Sequence, residues 1–192
     1  LMEQAGNQLR RLADDLLDIA QLEGGALTMP DAPFRPTQTV EAVIALADAT
    51  NQGPSPPLEF EDAIGAATVL IGSEMRIHQV LANLLENAAA FNPEGPVRIR
   101  AALSDESSDG NAILNLSVID SGPGVPKESK DIIFERFRQG PRPKKQNRNG
   151  AGLGLTIARA VCQRHGGNLR VEDTPGGGAT FVATFAVKIA QR

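Results

Sequence analysis

The chain contains no tryptophan and no tyrosine. Stacking of bases on aromatic faces, a common grip on single-stranded nucleic acid, therefore has little to work with. Positive charge is also in short supply. Nineteen Lys and Arg against 23 Asp and Glu leave a net charge of −4, which argues against a general nucleic-acid binder. One cysteine, Cys162, excludes a disulfide within the chain, and the plain inference is a reducing, cytosolic setting. No apolar run approaches the roughly 18 residues that a membrane span needs. Glu3, Gln4 and Asn7 break up any signal-peptide core at the start. No membrane contact is expected from this segment, which leaves open an inner-membrane anchor elsewhere in a longer protein. Histidine is scarce too, at His78 and His165. What is present, 192 residues with 41% hydrophobic content, suits one domain with a core plus an appendage.

The appendage comes first. Met2, Ala5, Leu9, Leu12, Leu16 and Ile19 repeat at alternating steps of three and four, an a/d seam that Gly24 and Gly25 terminate. Such a seam fits a helix packed on its own domain or one paired in a coiled coil. It is already running at the first residues with no N-cap before it, so the expectation is a chain that begins inside a helix. Residues 26–36 read as a linker or short strand, because Pro30, Pro33 and Pro36 exclude helix. Thr37 is expected to cap a helix bearing Val40, Val43, Ile44 and Ala47. Strands are expected at 58–61, 67–71, 97–103, 112–120, 169–172 and 180–187, and helices at 75–91 and 153–165. Strands interleaved with three main helices predict an α+β fold, a two-layer sandwich.

Four segments then stand in fixed order: Asn83-Leu-Leu-Glu-Asn87-Ala88, Asp120-Ser-Gly122-Pro-Gly124, Phe134-Glu-Arg-Phe137 and Gly150-Ala-Gly152-Leu153-Gly154-Leu155. A fifth, Gly176-Gly177-Gly178-Ala-Thr180-Phe181, follows them. Asn83 and Asn87 are four apart and so share one helix face, on the flank of the stripe formed by Ile77, Val80, Leu81, Leu84, Leu85 and Ala88. Alone, such a pair is ordinarily a solvated one. Asp120 ends an apolar strand, where Asp-Ser-Gly alone reads as a turn. The three spaced glycines open a helix, whose free N–H groups favour phosphate. Their spacing is neither that of the P-loop nor that of the dinucleotide fingerprint. Residues 140–149 are basic and Pro-rich. Arg142, Lys144, Lys145 and Arg148 there are either solvated loop charge or help to a triphosphate.

Together the segments resemble the N, G1, F and G2 boxes, with a G3-like stretch, of the catalytic ATP-binding part of sensor histidine kinases. The resemblance runs from near residue 1 to about 188. It implies the Bergerat fold, a mixed sheet with helices on one face and nucleotide held between helices and a lid. It divides the chain into the end of a second dimerisation helix (1–25), a linker (26–36) and the catalytic domain (37–192). It implies ATP and Mg²⁺ as cofactors, with Asn87 as the metal ligand and Asn83 on the phosphate side, these two being the catalytic positions. The nucleotide contacts it implies are Asn83, Asn87, Asp120, Gly122, Gly124, Phe137, Gly150, Gly152, Leu153, Gly154, Leu155 and Thr180. As partners it implies a response regulator receiver domain and a homodimer through an upstream helical hairpin.

Chemistry agrees with these roles. An Asn carbonyl is a hard oxygen ligand suited to Mg²⁺. Asp120 can accept from the amino group of adenine, whereas the carbonyl of guanine would face it acceptor to acceptor. Gly122 and Gly124 are expected to let the backbone pass close to the base. Asn83 lacks the basic lone pair of the Glu that ATP-hydrolysing relatives place there, which favours presenting the γ-phosphate to an outside nucleophile. Neither histidine has the surroundings of a phosphoacceptor, which is expected on a helix before residue 1. Ala90 and Ser73 depart from the family pattern, where a basic residue and an Asp are common. Ala90 is the best support for the alternative of a non-catalytic interaction module that keeps the fold.

Overall fold

The computed structural model describes residues 2–24, 28–50, 56–92, 95–105, 107–138 and 152–190. Helix α1 (Met2–Glu23) leads into strand β1 (Ala32–Phe34) and helix α2 (Pro36–Thr50). Strands β2 (Leu58–Asp62) and β3 (Leu70–Gly72) precede helix α3 (Glu74–Phe91). The hairpin of β4 (Val97–Ser104) and β5 (Asn111–Ile119) follows. Two single 3₁₀ turns, Lys127–Ser129 and Ile132–Phe134, lead toward α4 (Gly154–Arg164), and β6 (Leu169–Asp173) and β7 (Ala179–Ile189) close the chain.

The seven strands make one mixed sheet in the order β1-β3-β7-β5-β4-β2, with β6 also on β7. Long β7 carries β5 along one side. On its other side β6 pairs with 179–183 and β3 with 188–189. Among the described residues only β2 and β4 run parallel, and every other pairing is antiparallel. The expected α+β two-layer sandwich is thus present, with α2, α3 and α4 side by side in the second layer.

Alternation explains the layering. Ala112, Leu114, Leu116 and Val118 of β5 are buried, as are their cross-strand partners Val187, Phe185, Ala183 and Phe181. This row meets Ile77, Val80, Leu81, Leu84, Leu85 and Ala88 of α3 and Ile157, Ala158 and Val161 of α4. Each fully buried aliphatic side chain contributes about 1.5–3 kcal/mol, so this interlayer seam dominates the fold's stability. Cys162 sits in the same seam, and burial pushes its thiol up to about 12, backbone hydrogen bonds opposing only in part. It is an inert core residue.

Two local expectations need correction. Thr37 does not cap α2. The helix starts at Pro36, which needs no N–H partner in a first turn, and the Thr37 hydroxyl instead donates to Asp62 Oδ2 at 2.8 Å. The strand expected at 67–71 begins only at Leu70, because Asp62 Oδ1 accepts from the amides of Ile64 and Gly65 and Thr68 closes the turn onto Gly65. Of the two readings of residues 26–36, linker or short strand, the strand is present, since β1 pairs antiparallel with β3 and joins the sheet.

Helix α1 divides its face. Ile19 is in the core, Asp18 pairs with buried Arg76 of α3 at 2.8 Å, and Arg164 of α4 donates to the Leu22 carbonyl. Leu16 and Leu17 remain about half exposed, at 51% and 57%. The end of the helix is therefore packed on its own domain while the preceding turn offers an apolar surface. No helix among the described residues is long and apolar enough to cross a membrane.

Candidate nucleotide site

Helix α3 is the spine of the site. Leu and Val at core spacing fix its roll, and that leaves Asn83 and Asn87 half-buried on the flank of the buried stripe. Asn83 reaches across to α4: its Nδ2 donates to the Gly154 carbonyl at 3.2 Å. Eight residues on, about 12 Å along the axis, Phe91 and Asn92 reach the Asp120 loop. There the Phe91 carbonyl would lie 3.1 Å from a Cβ placed on Gly122. Asn87 falls between these two contact points, on the same side of the helix as Asn83 and Phe91. The structure thus brings the start of α4, the two asparagines and the Asp120 loop to one edge of the interlayer space.

Asp120 is buried, at 5% exposure, just past the end of β5. Its Oδ1 accepts from the amides of Gly122 (2.8 Å) and Ala179 (3.2 Å), and its own N–H donates to the Ala179 carbonyl (2.9 Å). Among the described residues no donor reaches Oδ2. A buried carboxylate with one oxygen fully engaged and the other open is poised to accept one further hydrogen bond. Gly178 is what allows the approach. Its φ is +105°, and a Cβ there would stand 1.9 Å from the Asp120 carbonyl oxygen. Gly122 and Gly124 pack against protein groups, the Asp120 carboxylate and the Gly178 carbonyl respectively, so the close approach expected of them is to their own chain.

At the start of α4, Gly152 (φ +72°) lies against the segment after the 3₁₀ turns. A Cβ there would meet the Arg138 carbonyl at 2.8 Å, and the Phe137 N–H donates to the Gly152 carbonyl at 3.1 Å. Leu153 is buried at the N-cap position and Leu155 packs partly on the core, so both anchor the helix start. Among the described residues no side chain caps α4, which leaves its first N–H groups for another acceptor. Gly150 and the basic segment 140–149 lie outside the described residues.

The two phenylalanines part company. Phe134 is core. Its carbonyl accepts from the Thr156 hydroxyl at 2.9 Å, and Arg159 lies 4.8 Å over its ring. Phe137 is 66% exposed and has φ +58°. A large apolar ring in solvent and a left-handed backbone at a non-glycine residue are both uncommon. Thr180 is not brought to the site. It opposes Ile119 on the sheet face away from the helices, and its hydroxyl is engaged with Thr174 at 2.9 Å. Its neighbour Ala179, through a backbone amide, takes the place beside Asp120. No side-chain pattern could have announced that contact. Ser73 is buried before α3, its hydroxyl without a partner among the described residues, and Ala90 is half-buried on the helix.

Residues 72–189 match the family described as histidine kinase-, DNA gyrase B-, and HSP90-like ATPase. The chain is 31% identical over 190 residues to the autoinducer 2 sensor kinase/phosphatase LuxQ of Vibrio harveyi, covering 98% of the chain and 22% of that protein. It is 30% identical over 183 residues to the sensor protein GacS of Pseudomonas syringae pv. syringae, covering 94% of the chain and 20% of that protein. The chain therefore spans about a fifth of the length of these curated relatives. Among solved structures, full-length ShkA in complex with AMPPNP superposes with a TM-score of 0.81 at 28% identity, over 98% of this chain and 38% of that one.

Proposed function

The chain belongs to the histidine kinase-, DNA gyrase B-, and HSP90-like ATPase family, and from that premise we propose that it is the cytoplasmic ATP-binding catalytic domain of a two-component sensor histidine kinase. It binds Mg-ATP and donates the γ-phosphoryl to a histidine on a dimerisation helix that is not in this sequence. A receiver-domain aspartate of a response regulator then takes the phosphoryl. The observation that carries this reading is the arrangement on α3. Asn83 is tied to the start of α4, the end of α3 abuts the Asp120 loop, and Asn87 lies between them.

Asp120 Oδ2 is placed to accept from the adenine amino group, which a guanine carbonyl could not satisfy. The open N–H groups at the start of α4 are placed to take phosphate oxygens. The Asn87 carbonyl is an oxygen ligand of the kind Mg²⁺ accepts alongside phosphate and water, and the ion neutralises charge on the phosphates. Exposed Phe137, pinned at Gly152, borders this edge and is placed to cover the nucleotide. Transfer breaks the bond between the γ-phosphorus and its bridging oxygen and makes a bond to the imidazole nitrogen, with ADP as leaving group. Asn83 offers no base for a water molecule, so hydrolysis is slow.

The chain's own histidines are poor acceptors. His165 is buried at the end of α4, where its Nδ1 donates to the Val161 carbonyl and its ring stands edge-on to Phe185. His78 is half-buried on α3 five residues before Asn83. Incubated with labelled ATP, the chain by itself gains no acid-labile label and releases phosphate only slowly. Adding a dimerisation hairpin with its histidine restores labelling, because transfer needs a nucleophile held in line at near-attack distance. Label on His78 or His165 would contradict the proposal. Brisk phosphate release would point to the ATP-hydrolysing branch of the family.

A further inference from the structure

Asn92 stands at the C-terminal end of α3, and its side chain is doing something other than ending the helix. The usual reason for Asn at that place is a left-handed backbone. Here φ is −134°, and the capping bond is made by the backbone N–H to the Ala88 carbonyl. The amide itself is buried, with the residue 7% exposed, and is directed across to the Asp120 loop. Its Nδ2 donates to the Pro96 carbonyl at 3.3 Å and to the Ser121 hydroxyl at 3.3 Å. The Pro96 carbonyl fixes which end of the amide is nitrogen, and both amide hydrogens are then used. Space around the group is filled. A Cβ on Gly95 would stand 2.4 Å from Asn92 Oδ1 and 2.5 Å from Ser121 Oγ, and a Cβ on Gly122 would stand 3.4 Å from Asn92 Cβ.

We infer that Asn92 is a positioning residue for base recognition, setting the distance between the asparagine face of α3 and the carboxylate of Asp120. The chain of contacts is short. Asn92 holds Ser121, and the next residue, Gly122, donates its N–H to Asp120 Oδ1. The same helix end lies five residues beyond Asn87, so the metal-side and base-side groups share one rigid element. The inference rests on the adenine nucleotide reading above. Removing the amide leaves Asp120 in place but loosens where Oδ2 points. An adenine nucleotide then loses its accepting partner, and a guanine nucleotide, which never used it, loses nothing.

The test is competition calorimetry with Mg-ATP and Mg-GTP on the wild-type chain and on Asn92→Ala, Ser121→Ala and the double variant. Both single variants lower the preference for ATP over GTP by about tenfold, the size expected of one misaligned buried hydrogen bond. The double variant is no worse than either alone, because the two residues act through one link. Exposed Ser121 keeps the test open if Asn92→Ala does not fold. An unchanged preference, or equal losses for both nucleotides that add in the double variant, overturns the positioning role. A wild-type chain that binds neither nucleotide overturns the nucleotide reading itself, and the inference falls with it.

Discussion

In the proposed function, base specificity comes down to one carboxylate oxygen. Asp120 Oδ1 is held by two backbone amides, and no donor among the described residues reaches Oδ2. An Asn at this position keeps the shape but can turn an amide N–H outward and donate to a guanine carbonyl. Asp120→Asn therefore weakens ATP binding by about ten- to a hundredfold, the value of a hydrogen bond to a charged group, and relaxes discrimination against GTP. Calorimetry with the two nucleotides checks this. An ATP preference equal to that of the wild type would remove Asp120 from base recognition. At the same scale, an Asn at position 83 offers no base for a water molecule, and Gly178 is required sterically, since any side chain would strike the Asp120 carbonyl.

At the scale of elements, periodicity was readable and side-chain partnership was not. The alternation of β4 and β5 and the core stripe of α3 stood in the sequence because burial demands them. Both asparagines could be placed on the flank of that stripe for the same reason. The start of α2 could not be read, because Thr37 had a tertiary partner 25 residues away that outcompeted capping. Thr180 belongs to the G3-like stretch, yet strand alternation turns it to the far face, where Thr174 takes its hydroxyl. Asn92 carries no local signal, because its side chain acts in a contact with Ser121, 29 residues later, for which no sequence pattern exists. The Thr37 partnership has a measurable consequence. Burial alone would raise the Asp62 carboxyl, but the amides of Ile64 and Gly65 and the Thr37 hydroxyl outweigh it and hold the group below its ordinary range. A group depressed in the folded state contributes stability that is present above its unfolded pKa and is lost as pH falls through the folded one. Asp62→Asn removes that contribution. The melting temperature of the variant is lower than wild type near neutrality, and the gap narrows on acidification below about pH 4. A gap that is constant from neutral to acid pH would show that the α2 anchor does not depend on the charge.

For the whole molecule, two layers are locked by a shared apolar seam, and the site is the edge where α3, α4 and the strand ends meet. Helix α1 is fastened to the same body through Ile19, the Asp18–Arg76 pair and the Leu22 carbonyl, while Leu16 and Leu17 face outward. A buried ion pair of this kind contributes little net stability, because desolvation offsets most of the attraction. The hold on α1 is therefore carried mainly by Ile19. The proposed function requires that this edge bind Mg-ATP through Asn87. The direct measurement is the melting temperature of the wild-type chain and of Asn87→Ala with and without saturating Mg-ATP. At about 100 times Kd, ligand linkage stabilises the folded state by about 2.7 kcal/mol. For a domain of this size that is a rise of about 5–10 °C. The account predicts that rise for the wild type and the loss of most of it in Asn87→Ala. No rise in the wild type, or an undiminished rise in the variant, would contradict it.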